Sequence, residues 1–260
     1  MVETSTFVYL NISVLLCFGF PIVLFIFVRR KSNKVFIPLI AGMVGFFMMQ
    51  LVVRMTILSL LGTYTNFYEV NIFALAFILG FSAALFETVG RVLTVKIFMK
   101  KDHRFSSGIA HGIGHGGIEA VFLVGINYIV YIVYGFMINN GSFDALISLD
   151  SSFQVIKDLL LETQELFLFG GIERVLTMIF HIAMSVIVVY AFRIKKNYPV
   201  LMVLAIHTFL DFNVVIMAHF GIEVYIIELY LFVISMLMIG VIYFIYQKYV
   251  ELEKEGVMSD

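Results

Sequence analysis

The sequence predicts an all-α polytopic membrane protein, a bundle of about seven transmembrane helices, and three observations carry that prediction. The 260 residues are 62% apolar and only 13% charged, whereas a soluble domain is about 45–50% apolar and about 25% charged. Mean hydropathy is +1.03. Seven stretches are each long and apolar enough to cross about 30 Å of hydrocarbon, which takes roughly 20 helical residues. These numbers exclude a soluble enzyme, a nucleic-acid binder, a disordered chain and a secreted disulfide scaffold. The single cysteine, Cys17, rules out an internal disulfide and a Cys-based zinc site.

The expected spans are 6–28, 35–61, 70–96, 106–138, 167–192, 198–218 and 222–247, forming one transmembrane domain over 1–260. Met1-Val2-Glu3 lacks the basic residues of a secretory signal, so the first span is not expected to be cleaved. The fourth span is long enough to tilt strongly or break. Its ladder Gly108/Gly112/Gly116 lets the backbone lie close against a neighbouring helix. Only the loop 139–166 is long. There Phe153, Ile156, Leu159, Leu160 and Thr163 share a helical face opposite Lys157, Asp158 and Glu162, the pattern of a short amphipathic helix on the outer interface.

With 17 Lys+Arg against 18 Asp+Glu the net charge is uninformative, but its distribution is not. Arg29, Arg30, Lys31 and Lys34 separate spans one and two; Lys96, Lys100, Lys101 and Arg104 separate three and four; Arg193, Lys195 and Lys196 separate five and six. The alternate loops are poor in base, and 139–166 carries Asp144, Asp150, Asp158, Glu162 and Glu165 against Lys157 alone. The positive-inside rule puts the N-terminus outside and the C-terminus in the cytoplasm.

A charge at the bilayer centre costs a few kcal/mol, so each intramembrane ionisable residue is a functional candidate. Span three carries Glu87 and Arg91, span four His111, His115 and Glu119, span five Glu173, Arg174 and His181, and span six His207 and Asp211. Most are paired at i,i+4, so each helix presents one polar stripe. Counted from the cytoplasmic ends, Glu87, His115, His181 and His207 all fall roughly 14–18 Å deep. Two of these helices run inward and two outward, so the common depth points to one site assembled from four helices. Arg54 and Glu173 match in depth further out and read as a buried interhelical pair. His111 reads equally as a solvated histidine or part of the site. His103, His219, Glu223 and Glu228 read as solvated.

Three imidazoles and a carboxylate at one depth suit Zn²⁺ with an open position for water. The metal-free version uses Glu87 as general base, with His181 and His207 binding the oxyanion. Either chemistry suits hydrolysis of a membrane-embedded substrate. A proton or divalent-metal transporter or channel would use the same His/Glu/Asp residues, although no repeat symmetry is visible. A non-catalytic membrane chaperone or immunity protein would need no convergence at all.

At Gln50-x-x-x-Arg54, Glu87-Thr-Val-Gly-Arg91, Gly112-Ile-Gly-His115-Gly-Gly-Ile-Glu119, Glu173-Arg174, Phe180-His181 and His207-x-x-x-Asp211 the chain resembles the YhfC family of intramembrane metalloproteases. It is more distantly similar to type II CAAX prenyl endopeptidases and PrsW proteases. The resemblance covers nearly the whole chain. It implies a multi-pass protein of the bacterial plasma membrane, with Glu87 activating water, Arg91 as its partner, and His207 and Asp211 as the final motif. Phe86 replaces the first Glu of a doubled Glu-Glu, and Thr177 stands where Phe-x-x-x-His would put Phe. The reading is therefore a membrane peptidase with Glu87, Arg91, His207 and Asp211 catalytic and His115, His181, His207, Glu119 and Glu173 as metal ligands. Its expected substrate is a membrane protein, lipoprotein or lipidated peptide, and no nucleic acid is involved.

Overall fold

The computed structural model describes residues 1–162 and 164–255. Among them there is no strand, and seven helices are long and apolar enough to cross a membrane. We number the helices α1 (Thr4–Lys31), α2 (Phe36–Tyr64), α3 (Ile72–Met99), α4 (Phe105–Asn139), α5 (Asp144–Leu149), α6 (Phe153–Glu162), α7 (Gln164–Ile194), α8 (Tyr198–His219) and α9 (Val224–Lys254). Each spanning helix overruns its apolar stretch by up to two turns, because the polar flanks continue the backbone hydrogen bonding. Asn71 starts α3 by accepting a hydrogen bond from the Phe73 amide at 2.9 Å, satisfying one of the free amides of the first turn.

The long fourth helix does not break. It runs through from Phe105 to Asn139, and five residues, Val121–Gly125, widen into a π-helical turn just after Glu119. A longer π stretch, Phe47–Arg54, holds Gln50 and Arg54 in α2. Such turns re-aim side chains without interrupting a helix, and they concentrate at functional sites.

Helix α7 is the hub, packing against α4, α9, α1 and α8, while α3 packs on α8 and α2 packs on α4. The glycine ladder faces α7: a Cβ at Gly108 or Gly116 would stand 3.1 Å from the Cα of Val186 or Met178. At Gly112, between them, a Cβ would clash with the Ile182 backbone, so no side chain fits there and the two helices pack backbone against backbone.

Two sets of loops define the ends of the bundle. The basic end carries 32–35, 100–104 and 195–197; the acidic end carries 65–71, 140–152 and 220–223. At the basic end Arg104 chelates both Asp102 oxygens (2.7 and 2.9 Å) and reaches the Lys34 carbonyl at 3.0 Å, tying two loops together. At the acidic end α6 lays Leu160 into a small second core with Val2, Leu10 and Phe167. Tyr134, Phe143 and Phe153 pack edge to face beside it. Thr163, expected on the apolar face of α6, lies outside the described residues.

Candidate functional site

The polar stripes of α3, α4, α7 and α8 meet around one atom, Glu87 Oε2. His115 Nε2 lies 3.0 Å from it, Arg91 Nη2 3.3 Å, His181 Nδ1 3.7 Å and His207 Nδ1 3.8 Å. The i,i+4 spacing lets Arg91 reach back to Glu87 along α3, while the glycine contact brings His115 of α4 beside His181 of α7. The ring centroids of His115 and His181 are 5.1 Å apart, and those of His181 and His207 5.5 Å.

A second layer fixes these groups. Arg91 Nη2 also donates to His181 Nδ1 at 2.7 Å, and His181 Nε2 lies 2.6 Å from Glu119 Oε2. Glu119 Oε1 accepts from Arg174 Nη1 at 2.9 Å, and Arg174 turns its other nitrogen to Glu173. His207 Nε2 stands 3.4 Å from Asp211 Oδ2. Accepting from a guanidinium requires a lone pair on His181 Nδ1, so its N–H is the one facing Glu119. His207 stands between two carboxylates, Nδ1 toward Glu87 at 3.8 Å and Nε2 toward Asp211 at 3.4 Å, with no cation on either nitrogen. Nδ1 of both His115 and His207 is buried without a hydrogen-bond partner.

Rings of Phe46 and Phe180 lean edge-on against His115, His181 and His207 and keep the cluster dry on that side. A cavity of about 340 Å³ runs from Glu87, His181 and His207 past Asp211 and Glu173 to Arg54 and Gln50, that is, toward the acidic end. On the basic side the cluster is closed: Arg91 and His111 are fully buried.

Several sequence expectations are redrawn here. His111 is not solvated: its Nε2 lies 3.0 Å from Thr94 Oγ1 and its Nδ1 3.1 Å from Ser185 Oγ, so it ties α3, α4 and α7 together. Arg54 and Glu173 do not pair. Arg54 donates to Ser82 Oγ (3.1 Å) and the Leu79 carbonyl (2.9 Å), and Glu173 turns to Arg174. Equal depth sets two residues level, but their angle around the helix decides whether they meet. Glu228, expected in solvent, is buried. The bridging role of Arg174 was not expected; its signal was a second intramembrane cation beside Glu173 with no i,i+4 acid on its own helix.

Glu87, His115, Glu119 and His181 each offer a ligand atom, all within 4.8 Å of one another. Glu173 and His207 stand outside that group, the first on Arg174 and the second across Glu87. Imidazole and carboxylate are the donor chemistry of zinc and its neighbours. Charge agrees: Glu87, Glu119, Asp211 and Glu173 face Arg91 and Arg174, with Arg54 lining the same cavity, leaving one negative charge uncompensated when the imidazoles are neutral and the carboxylates ionised. The donor set, the unpartnered Nδ1 of His115 and the excess of negative charge fit a divalent cation.

Comparison with known proteins places these features in a group. The uncharacterized membrane protein YhfC of Bacillus subtilis (strain 168) is 37% identical over 136 residues, 51% of this chain and 52% of the relative. The match thus spans about half of that relative's length. No solved structure matches the chain. The model of the YhfC intramembrane metalloprotease family matches residues 12–231, a stretch that holds every residue of the buried cluster, and the chain belongs to that family.

Proposed function

We propose that the protein hydrolyses a peptide bond in a membrane-embedded or membrane-adjacent substrate, with Glu87 as the base that takes a proton from water. The observation that carries the proposal is the enclosure of Glu87 Oε2 by three imidazoles and a guanidinium at the foot of a cavity. The family name supports the reaction class.

His115, His181 and Glu119 would hold the metal, a His₂Glu donor set of the kind that keeps one position open for water, with the ion taking the place of one of the two contacts of His181, to Arg91 or to Glu119. The bound ion would supply Lewis acidity, lowering the pKa of a water to about 7. Glu87 Oε2 accepts the water's proton, and Arg91 holds that oxygen toward the cavity from 3.3 Å. Arg174 fixes Glu119 so that its other oxygen stays on His181. His207, with Asp211 3.4 Å from its Nε2 and Glu87 3.8 Å from its Nδ1, stands where it can carry the proton onward to the departing amine. The metal-free version is less well supported. It asks His181 and His207 to donate N–H groups to an oxyanion, yet the N–H of His181 faces Glu119.

The experiment is purification followed by metal analysis and hydrolysis of apolar reporter peptides. Glu87→Gln should retain stoichiometric metal and lose hydrolysis by at least about 10³-fold; His115→Ala should lose both. Undiminished hydrolysis by Glu87→Gln would remove Glu87 from the reaction. The transporter reading would be favoured instead by ion flux in proteoliposomes without cleavage.

A further inference from the structure

Arg54 is a buried cation with no carboxylate in direct contact; the nearest negative charges, Glu87 and Asp211, act on it across the cavity. It is 8% exposed, its bonds go to a serine hydroxyl and a backbone carbonyl, and among the described residues no carboxylate lies within ion-pair distance. Glu87 and Asp211, the acids nearest along the cavity, are engaged by Arg91, His115 and His207. A guanidinium held inside a membrane bundle with only neutral partners is costly, and this one lines the cavity that leads to Glu87. One turn away on the same π-helical stretch, Gln50 also lines the cavity, is 8% exposed, and has its amide oxygen buried with no partner. An acceptor without a partner, the Gln50 oxygen, and the uncommitted edge of the Arg54 guanidinium thus lie on the lining of one cavity at i,i+4.

We infer that Gln50 and Arg54 form a substrate subsite that binds a carboxylate together with a neighbouring amide N–H. Arg54 has already committed Nε and one terminal nitrogen to Ser82 and Leu79, which leaves a single donor edge and one charge. That suits a monoanion better than a phosphate dianion, which one guanidinium leaves half-neutralised and which the carboxylates lining the cavity would repel twice as strongly. The Gln50 oxygen asks for a donor beside the anion, and a peptide supplies one in its own backbone N–H. The carboxylate can come from the C-terminus of the substrate or from an Asp or Glu side chain. The inference rests on the peptidase reading for the name of its ligand, but its test does not depend on cleavage.

The test measures equilibrium binding of three N-acetylated, fluorescent apolar octapeptides to the full chain in nanodiscs. One ends in a free carboxylate, the second in an amide, and the third is amidated with an internal Glu. The wild type should bind at least one carboxylate peptide about tenfold or more tighter than the uncharged amide. Preference for the first identifies the C-terminus as the source; preference for the third identifies a side chain. Arg54→Gln should abolish the discrimination, Arg54→Lys should retain part of it, and Gln50→Leu should weaken every peptide without changing their order. Absence of carboxylate-dependent binding by the wild type, or discrimination that survives Arg54→Gln, overturns the subsite. Discrimination without cleavage of any peptide would leave the subsite standing and sink the hydrolase; cleavage indifferent to the carboxylate would do the reverse.

Discussion

Replacing Arg174 with Met gives the sharpest test of how the buried cluster is held. The guanidinium is 10% exposed and bonds Glu119, also 10% exposed, at 2.9 Å, with a second arm on Glu173, which is 35% exposed. Removing one member of a buried ion pair costs about 3–5 kcal/mol, mostly because the remaining charge is stranded. The Glu173 arm adds little, about 0–1 kcal/mol, since water already screens it. Arg174→Met should therefore lower unfolding free energy by about 3–5 kcal/mol. Adding Glu119→Gln should recover most of that loss, because no buried charge is then unpaired. The assay is SDS titration in mixed micelles read by pulse proteolysis, since the chain has no tryptophan. A midpoint unmoved by Arg174→Met, or a double variant weaker than the single one, would refute the claim that Arg174 compensates Glu119.

Further outcomes follow from the packing and the loops. A Cβ on Gly42 would meet the His111 carbonyl and stand 2.9 Å from the His115 amide, so Gly42→Ala should part α2 from α4, cost about 1–3 kcal/mol and slow any His115-dependent turnover about 10²-fold. Gly19→Ala, with open space around it, is the control and should leave both measurements unchanged. His111→Phe leaves the Ser185 hydroxyl without its partner and should destabilise by about 1–3 kcal/mol, while bound metal, measured by elemental analysis, is retained. At the basic end, burial alone would raise the Asp102 carboxyl, but hydrogen bonds from Arg104 and Ser107 outweigh it and hold it below the usual range. A carboxyl lowered in the folded state stabilises above its unfolded pKa and loses that contribution as pH falls through the folded value. Hydrogen exchange of residues 100–104 should thus stay protected from neutral pH down to about 4 and rise only below it, whereas Asp102→Asn should be loose throughout.

The sequence made the four-helix convergence legible because burial in lipid enforces it. A charge facing acyl chains is costly wherever it sits, so polar stripes on four spans must face one another, and the i,i+4 spacing fixes which residues share a stripe. Depth then aligned Glu87, His115, His181 and His207, which the structure brings around one oxygen. What spacing could not supply was the angle of each helix about its own axis. For that reason Arg54 and Glu173, level in depth, have different partners, and Arg174 rather than Arg54 reaches Glu119. The π-helical turns at Phe47–Arg54 and Val121–Gly125 were invisible for the same reason. They add a residue per turn without any change in composition, and so rotate everything beyond them relative to a simple helical count. Glu228 misled because its place near a span end suggested solvent, while α9 packs that turn against α7.

The cluster lies on a seam. Helices α4 and α7 are locked backbone to backbone by the glycine ladder, and they carry His115, Glu119, His181 and Arg174. Helices α3 and α8 form a second tight pair, where a Cβ on Gly80 would stand 2.9 Å from the Phe212 amide, and they carry Glu87, Arg91, His207 and Asp211. Direct packing between α3 and α7 is slight, and the cavity occupies the space between the pairs. The proposed metal ligands, His115, Glu119 and His181, therefore belong to one rigid unit and the proposed base, Glu87, to the other. A movement along the seam would leave the 2.6 Å contact between His181 and Glu119 intact. It would lengthen the contacts of Glu87 with His115 and His181 together, so a substrate that wedges the pairs apart would withdraw the base without disturbing the ligands.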